Sequence, residues 1–242
     1  MREFLRRAAL TCACTTVFCA APMRHADAQR PAADTSAARA GWPAEPNPTQ
    51  LLFAPTGRML DPGATSFGDT YLLFVHADHG ITGAFSLGGG MSMVPTTHFT
   101  DNVFYLTPKI GLVRSANFNL AAGALVGFAG HARGSAGALY AVATSGGPDA
   151  SLTYGVGWFY SENRVSSQPG LIVGGLKRLG RNVAFISENY VTAGHDNGAL
   201  VSYGVRLFGD RLSVDLAFWN AVARNADRYF PGIPYLAFAM KF

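Results

Sequence analysis

The chain has 242 residues and a net charge of +4, and it contains 49% hydrophobic residues, 14% charged residues and 28 glycines. Low hydrophobicity and high charge mark disordered chains, so this composition excludes intrinsic disorder. It also excludes a bundle of membrane-spanning helices, because the only long apolar stretch without glycine lies near the N-terminus and is shorter than the roughly 20 residues that a spanning helix needs. For so apolar a chain, the membrane architecture that remains is a closed β-barrel.

The N-terminus has the features of a secretory signal peptide. Three arginines within the first seven residues precede an apolar run at residues 8–21, and Ala-Asp-Ala at residues 26–28 forms a small-residue cleavage site. We therefore predict that residues 1–28 are removed during export. All three cysteines lie inside this segment, so the exported chain would contain no disulfide.

Residues 29–48 are rich in alanine and proline and have no apolar periodicity, which predicts a flexible lead-in. We expect the folded domain over residues 49–242, with a first strand near residues 50–54. Removing the signal peptide leaves no basic cluster, so we expect no nucleic-acid partner.

From residue 49 onward, apolar residues alternate with small or polar residues in segments typical of strands. The clearest segment covers residues 118–130, and others cover residues 152–161, 199–207 and 212–218. One face of each segment is apolar, and the other is small, polar or sparsely charged. A transmembrane barrel needs this pattern, with apolar side chains toward lipid and the others toward the lumen.

Short turns and longer, more polar loops alternate along the chain. The short turns fall at residues 80–83, 115–117, 146–149, 180–182 and 209–211. The longer loops fall at residues 95–102, 131–134, 161–169, 193–197 and 220–233. This order predicts an all-β, up-and-down antiparallel transmembrane β-barrel of about twelve strands, or about ten if residues 50–54 lie outside the wall.

Two other folds also produce part of this pattern. A soluble β-sandwich or lipocalin-like barrel alternates as well, but its outer face should be rich in charged residues, which are scarce here. A helix over residues 120–140 would contain five glycines, each of which weakens a helix. The transmembrane barrel fits the sequence better than either.

Five charged residues lie within predicted strands: Lys109, Glu188, Arg206, Asp215 and Lys241. A Lys or Arg facing lipid at the bilayer midplane would cost about 2–4 kcal/mol, so we expect all five to line the lumen. There they would either pair and plug a narrow interior or line a small aqueous passage. Arg206 and Asp215 should pair across the turn at residues 209–211, with position 206 opposite position 214.

The last strand ends on an aromatic residue. Leu236, Phe238, Met240 and Phe242 share one face and continue to the final position. This segment resembles the C-terminal β-signal of Gram-negative outer-membrane proteins. The resemblance implies that the chain contacts outer-membrane lipid and lipopolysaccharide and that the barrel-assembly machinery recognises the signal during biogenesis.

Residues 47–95 carry a second resemblance. Phe-Ala-Pro-Thr-Gly at residues 53–57 and Gly-Gly-Gly-Met at residues 88–91 are similar to the entry segment and first hairpin of a group of small bacterial barrel proteins. No activity is established for that group, so the resemblance implies a fold and no function. Glycines on the inner face of a barrel leave room for bulky neighbours.

Outer-membrane lipid enzymes use Ser–His pairs, and three histidines fall in predicted external loops: His98, His131 and His195. No local motif joins any of them to a nucleophile. His76 and Asp78 share a strand face, whereas His79 points the other way, and two ligands do not make a metal site. We therefore assign no catalytic, cofactor-binding or metal-binding residue.

The sequence leaves three functions open. The leading hypothesis is an integral outer-membrane barrel that is either a narrow passive pore for small solutes or a structural component of the membrane wall. The second is an outer-membrane enzyme acting on lipid or lipopolysaccharide. The third is a surface binding protein that acts through its external loops, above all residues 220–233. The residue pattern does not indicate an oligomeric state.

Overall fold

The structure is a computed structural model that describes residues 41–93, 102–129, 135–162, 164–192, 198–222 and 230–242. The predicted signal peptide and the first part of the predicted lead-in, residues 29–40, lie outside the described residues. So do the three loop histidines that were considered for catalysis. The described residues contain no helix that is long and apolar enough to cross a membrane.

The described chain is built from antiparallel strands. In chain order they are β1 (Thr65–Thr70), β2 (Phe74–Gly80), β3 (Phe85–Ser92), β4 (Val103–Arg114), β5 (Phe118–Ala129), β6 (Ser135–Gly146), β7 (Ala150–Ser161), the two-residue β8 (Arg164–Val165), β9 (Gly170–Gly180), β10 (Val183–Thr192), β11 (Ala199–Phe208), β12 (Leu212–Val222) and β13 (Ile233–Lys241). Apart from β8, each strand pairs with two neighbours, and β7 pairs with β8 as well.

These pairings close a ring. β1 pairs with β13 at the chain ends, where Phe67 lies opposite Met240, and β7 pairs with both β6 and β9. Only β8 stays outside the ring among the described strands, because it pairs with the end of β7 alone. Closure leaves the twelve strands of the ring without a free edge. The prediction of an antiparallel barrel of about twelve strands is therefore confirmed.

The first wall strand differs from the expectation. Residues 50–54 form no barrel strand; the wall begins at Thr65 and makes its first reversal at residues 71–73. Tyr71 and Leu72 both have a φ of 59°, and the Asp69 Oδ1 atom accepts a hydrogen bond of 2.6 Å from the Leu72 amide. The apolar run Tyr-Leu-Leu-Phe at residues 71–74 hides this turn in the sequence.

The strand faces follow the predicted alternation. On β12, Leu212 and Leu216 are exposed on the outer face, whereas Ser213, Asp215 and Ala217 are buried on the inner face. The other strands repeat this arrangement, so large apolar side chains cover the outside of the ring. An apolar outer face and a polar inner face are what a lipid-embedded barrel requires.

The two ends of the ring differ. We call one the short-turn end, because residues 81–84, 115–117, 147–149, 181–182 and 209–211 connect strands there. The C-terminus is at this end, where the Phe242 amide donates a hydrogen bond to the Thr65 carbonyl. We call the other the long-loop end, because the longer connections lie there.

Residues 41–64 occupy part of the lumen, and we call them the luminal segment. Leu51 and Leu52 are each 2% exposed and pack against inward-facing side chains of β10, β12 and β13, among them Ile186, Trp219 and Tyr235. The barrel interior is therefore filled on this side by the chain that precedes the first strand.

Candidate functional site

Arg206 is fully buried on the inner face of β11. Its guanidinium group donates hydrogen bonds of 2.7 and 2.8 Å to the two carboxylate oxygens of Asp215. The register places Arg206 directly opposite Asp215, so the expected pairing of position 206 with position 214 is wrong by one residue. Phe208 opposite Ser213 sets this register at the turn.

Arg206 also binds the luminal segment. Its Nη1 atom forms an ion pair with Glu45 and donates to the Asn47 carbonyl at 2.9 Å, while Nη2 donates to the Leu51 carbonyl at 2.7 Å. Although the sequence predicts a flexible lead-in as far as residue 48, Glu45 and Asn47 already contact the barrel. One buried cation thus joins a wall carboxylate to the luminal segment.

Glu188 provides a second attachment point from β10. Its Oε2 atom accepts hydrogen bonds from three consecutive backbone amides, those of Leu52, Phe53 and Ala54, at 2.8, 3.0 and 2.9 Å. The hydroxyl of Tyr190 donates to the other carboxylate oxygen at 2.6 Å. Glu188 is fully buried, so these four donors replace the water that a carboxylate would otherwise bind.

The two predicted lysines also contact this segment. The Nζ atom of Lys109 donates a 2.6 Å hydrogen bond to the carbonyl of Arg58, and the Nζ atom of Lys241 lies 3.7 Å from Asp61. Asp61 also pairs with Arg114 at 2.6 Å. Each of the five charged residues named from the sequence therefore lies on the inner face and contacts the luminal segment or a residue that binds it.

The sequence did not indicate that the luminal segment is the shared contact of these five charged residues. Sequence reasoning also missed Arg178, whose guanidinium group lies 5.1 Å from the centre of the Trp42 ring and pairs with Asp149 at 3.1 Å. The available signal was the pattern of residues 41–64, in which isolated charges flank a short apolar run.

The described part of the lumen also contains a cavity of about 880 Å³. The luminal segment forms its floor through Phe53, Ala54, Pro55 and Leu60. The cavity reaches the strand ends at the long-loop end, where Glu162 lies among its lining residues. The lumen is thus occupied at one end and hollow at the other.

The cavity has room because glycines lie opposite larger residues on neighbouring strands. Across the β-ladder, His76 lies opposite Gly68 and Asp78 opposite Gly88. Tyr105 lies opposite Gly90, and Tyr140 lies opposite Gly123. We call these four large residues the glycine-flanked wall: His76, Asp78, Tyr105 and Tyr140.

Each large side chain of this wall lies over its glycine. A Cβ atom added at Gly88 would collide with the carboxylate of Asp78, and one added at Gly123 would collide with the Tyr140 hydroxyl. The side chains can therefore lie along the wall and leave the centre of the lumen empty. The structure supports the structural role suggested for glycines on the inner face.

The described residues contain no group of three or more His, Cys, Asp or Glu side chains that could hold a metal ion. His76 and Asp78 line the cavity. His79 lies on the outer face of β2, where its Nδ1 atom is 2.9 Å from the Thr65 hydroxyl.

A closed antiparallel ring of twelve strands with an apolar exterior matches the fold of porin-like outer-membrane β-barrels. No protein-family model matches the chain, and no curated protein matches its sequence. Solved structures do match its fold. The KdgM porin matches with a TM-score of 0.53 and 7% identity, covering 74% of this chain and 98% of that one.

Two further structures match over the same share of this chain. The KdgM porin in complex with disordered oligogalacturonate has a TM-score of 0.52 and 7% identity, and the match covers 74% of this chain and 96% of that one. The NanC porin has a TM-score of 0.46 and 8% identity, with 74% and 97% covered. At these identities the likeness is one of fold.

Proposed function

We propose that the protein is an integral outer-membrane barrel that acts as a narrow passive pore for small solutes and is exported by means of the signal peptide at residues 1–28. Its short-turn end faces the periplasm and its long-loop end faces outward. One observation carries the proposal, namely a cavity of about 880 Å³ inside a closed barrel with an apolar exterior. The porin fold of the KdgM structures supports it.

The luminal segment makes the pore narrow. Arg206 and Glu188 hold this segment across the interior, so a solute that enters from the long-loop end meets Phe53 and Leu60 at the cavity floor. We infer that solutes pass when the segment shifts within the lumen. Conductance should then depend on how tightly the segment is held.

Planar-bilayer recording tests this dependence. Refolded wild-type protein should show small and infrequent current steps, and Glu188→Gln should show larger or more frequent steps because it weakens the acceptor of three backbone amides. Asp210→Asn is the matched control, since Asp210 is exposed in the turn at residues 209–211, and it should behave as wild type. Silence of all three proteins would overturn the pore and favour a structural component of the membrane wall.

We also propose that the protein works without catalysis, a cofactor or a metal. Support comes from the described lumen, where the buried charged groups Arg206, Glu188 and Lys109 are occupied in holding the luminal segment. Lipid and lipopolysaccharide incubated with the refolded barrel should remain intact. Turnover that one histidine substitution abolishes would contradict this proposal.

A further inference from the structure

The cavity has an aromatic and mostly apolar lining. Phe53 and Phe74 line it together with Tyr105, Tyr140 and Phe159. Phe159 is 56% exposed although it lies on the inner face of β7, so this exposure is toward the cavity. A concave apolar site with few polar groups is the usual form of a binding site for small organic molecules.

The polar groups of this cavity favour a cation over an anion. Asp78 receives one hydrogen bond from the described residues, a 3.2 Å contact from the Thr107 hydroxyl, and forms no ion pair with any of them. Glu162 adds a second carboxylate at the rim. Lys109 is the only Lys or Arg among the described lining residues. Its charge also interacts with Asp78, but two carboxylates against one lysine leave these lining groups with an excess of negative charge.

Aromatic faces add to this preference. The ring of a Tyr or Phe attracts an organic cation, and the attraction grows when both groups are removed from water. Tyr105 and Tyr140 lie on β4 and β6, on the same side of the ring as Asp78 on β2. The carboxylate and the rings therefore line one continuous wall.

We propose that the cavity binds and passes small organic cations in which a protonated amine is carried on an aromatic or apolar body. The ammonium group binds the carboxylate of Asp78, and the body lies against the aromatic lining. This inference rests on the proposed pore function because it names the class of solute that the pore admits. It also explains why Gly88 stands opposite Asp78, since a side chain there would displace the carboxylate.

Three probes with one ring system test the charge preference: tryptamine, which is a cation, indole, which is neutral, and indole-3-acetate, which is an anion. Isothermal titration calorimetry on the refolded full-length mature barrel in detergent micelles gives each dissociation constant. We expect tryptamine to bind about tenfold more tightly than indole-3-acetate, which corresponds to one charge-assisted contact. Equal affinities, or tighter binding of the anion, would overturn the inference.

Two variants locate the site. Asp78→Asn should weaken tryptamine binding about tenfold and leave indole unchanged, whereas Asp210→Asn should change neither. Gly88→Ala should also weaken tryptamine binding by displacing Asp78. Its matched control is Gly209→Ala, because a Cβ atom there would have no neighbour within 4 Å. Full retention of tryptamine binding by Asp78→Asn would contradict the assignment.

Calorimetry and bilayer recording separate this inference from the pore itself. Conductance by wild type without any preference among the three probes would leave the pore standing and overturn the cation site. Tryptamine binding that depends on Asp78, in a barrel that never conducts, would uphold the cation-binding site but overturn the pore and with it the passage of the cation.

Discussion

At the scale of single residues, the buried ion pair of Arg206 and Asp215 is a contact whose disruption should be costly. Both side chains lie in the lumen, and Arg206 is fully buried. Removing one partner of a buried ion pair typically costs about 3–5 kcal/mol, because the other charge is left without compensation. Arg206 keeps Glu45 as an ion-pair partner, so the loss should fall at the lower end of this range.

We therefore expect Asp215→Asn to lower the free energy of unfolding by about 3 kcal/mol. Urea unfolding of the refolded protein in lipid vesicles, followed by tryptophan fluorescence, measures the change. Asp210→Asn removes the same charge from an exposed turn and should leave the midpoint unchanged. If Asp215→Asn had an unchanged midpoint as well, Asp215 would not be the buried partner of Arg206.

Glu45 lies in the luminal segment, and its contribution to the stability of the fold should depend on pH. Burial raises the pKa of the Glu45 carboxyl above its usual value of 4.5, and this effect outweighs the opposing effect of Arg206. A carboxyl with a raised pKa in the folded protein binds a proton more readily there than in the unfolded chain. Its contribution to stability is therefore present at low pH and is lost as the pH rises through the raised pKa.

The difference between wild type and Glu45→Gln should reveal this contribution. As the pH falls from neutrality toward 4.5, wild type should gain free energy of unfolding relative to the Gln variant, which cannot titrate at this position. Urea midpoints of both proteins across this range test the sign. A relative loss by wild type would mean that the charged Glu45–Arg206 pair stabilises the fold more than burial of the neutral acid.

At the scale of elements, the last strand has a structural role that its sequence indicates. β13 pairs with β12 on one side and with β1 on the other, so it closes the ring. Phe242 follows it with a side chain that is 66% exposed. An aromatic group this exposed adds little to the packing of the barrel. A strong effect of its substitution on membrane insertion would therefore point to the predicted assembly signal.

Deleting Phe242 or replacing it with Asp should lower the amount of protein in the outer membrane several-fold, while the purified variants should still refold into detergent. Immunoblots of membrane fractions give the first quantity, and heat-modifiable gel mobility gives the second. Phe230→Asp is the matched control, because Phe230 is 94% exposed in the loop before β13. Equal membrane levels of wild type and all these variants would contradict the prediction that Phe242 belongs to an assembly signal.

The elements also show what could be predicted from sequence. Alternation placed Arg206 and Asp215 on the inner faces of β11 and β12, since side-chain direction depends only on position along a strand. The same local pattern could not place Leu52, whose amide binds Glu188 at a separation of 136 residues. Nor could it find the reversal at Tyr71, because the turn lies inside an apolar run.

At the scale of the whole molecule, the luminal segment fills one part of the barrel interior, and a cavity occupies another part. The filled side is held by wall charges that bind the segment, and the hollow side is kept open by glycines. The five charged residues named from the sequence lie on inner faces, but their shared contact with the luminal segment could be recognised only in three dimensions.

Cysteine labelling in intact cells tests this arrangement together with the membrane location. The exported chain is expected to lack cysteine, so an introduced cysteine would supply the only thiol that a maleimide can label. Phe53→Cys places a thiol at a position that is 48% exposed and lines the cavity, whereas Leu52→Cys places one at a neighbouring position that is only 2% exposed. A small maleimide that does not cross membranes should therefore label residue 53 from outside the cell several times faster than residue 52.

Adding Glu188→Gln should speed labelling at residue 52, because the amides of residues 52–54 lose their acceptor. Equal labelling of both thiols, or labelling of residue 53 only after the cells are broken, would contradict a cavity that faces outward above a docked segment.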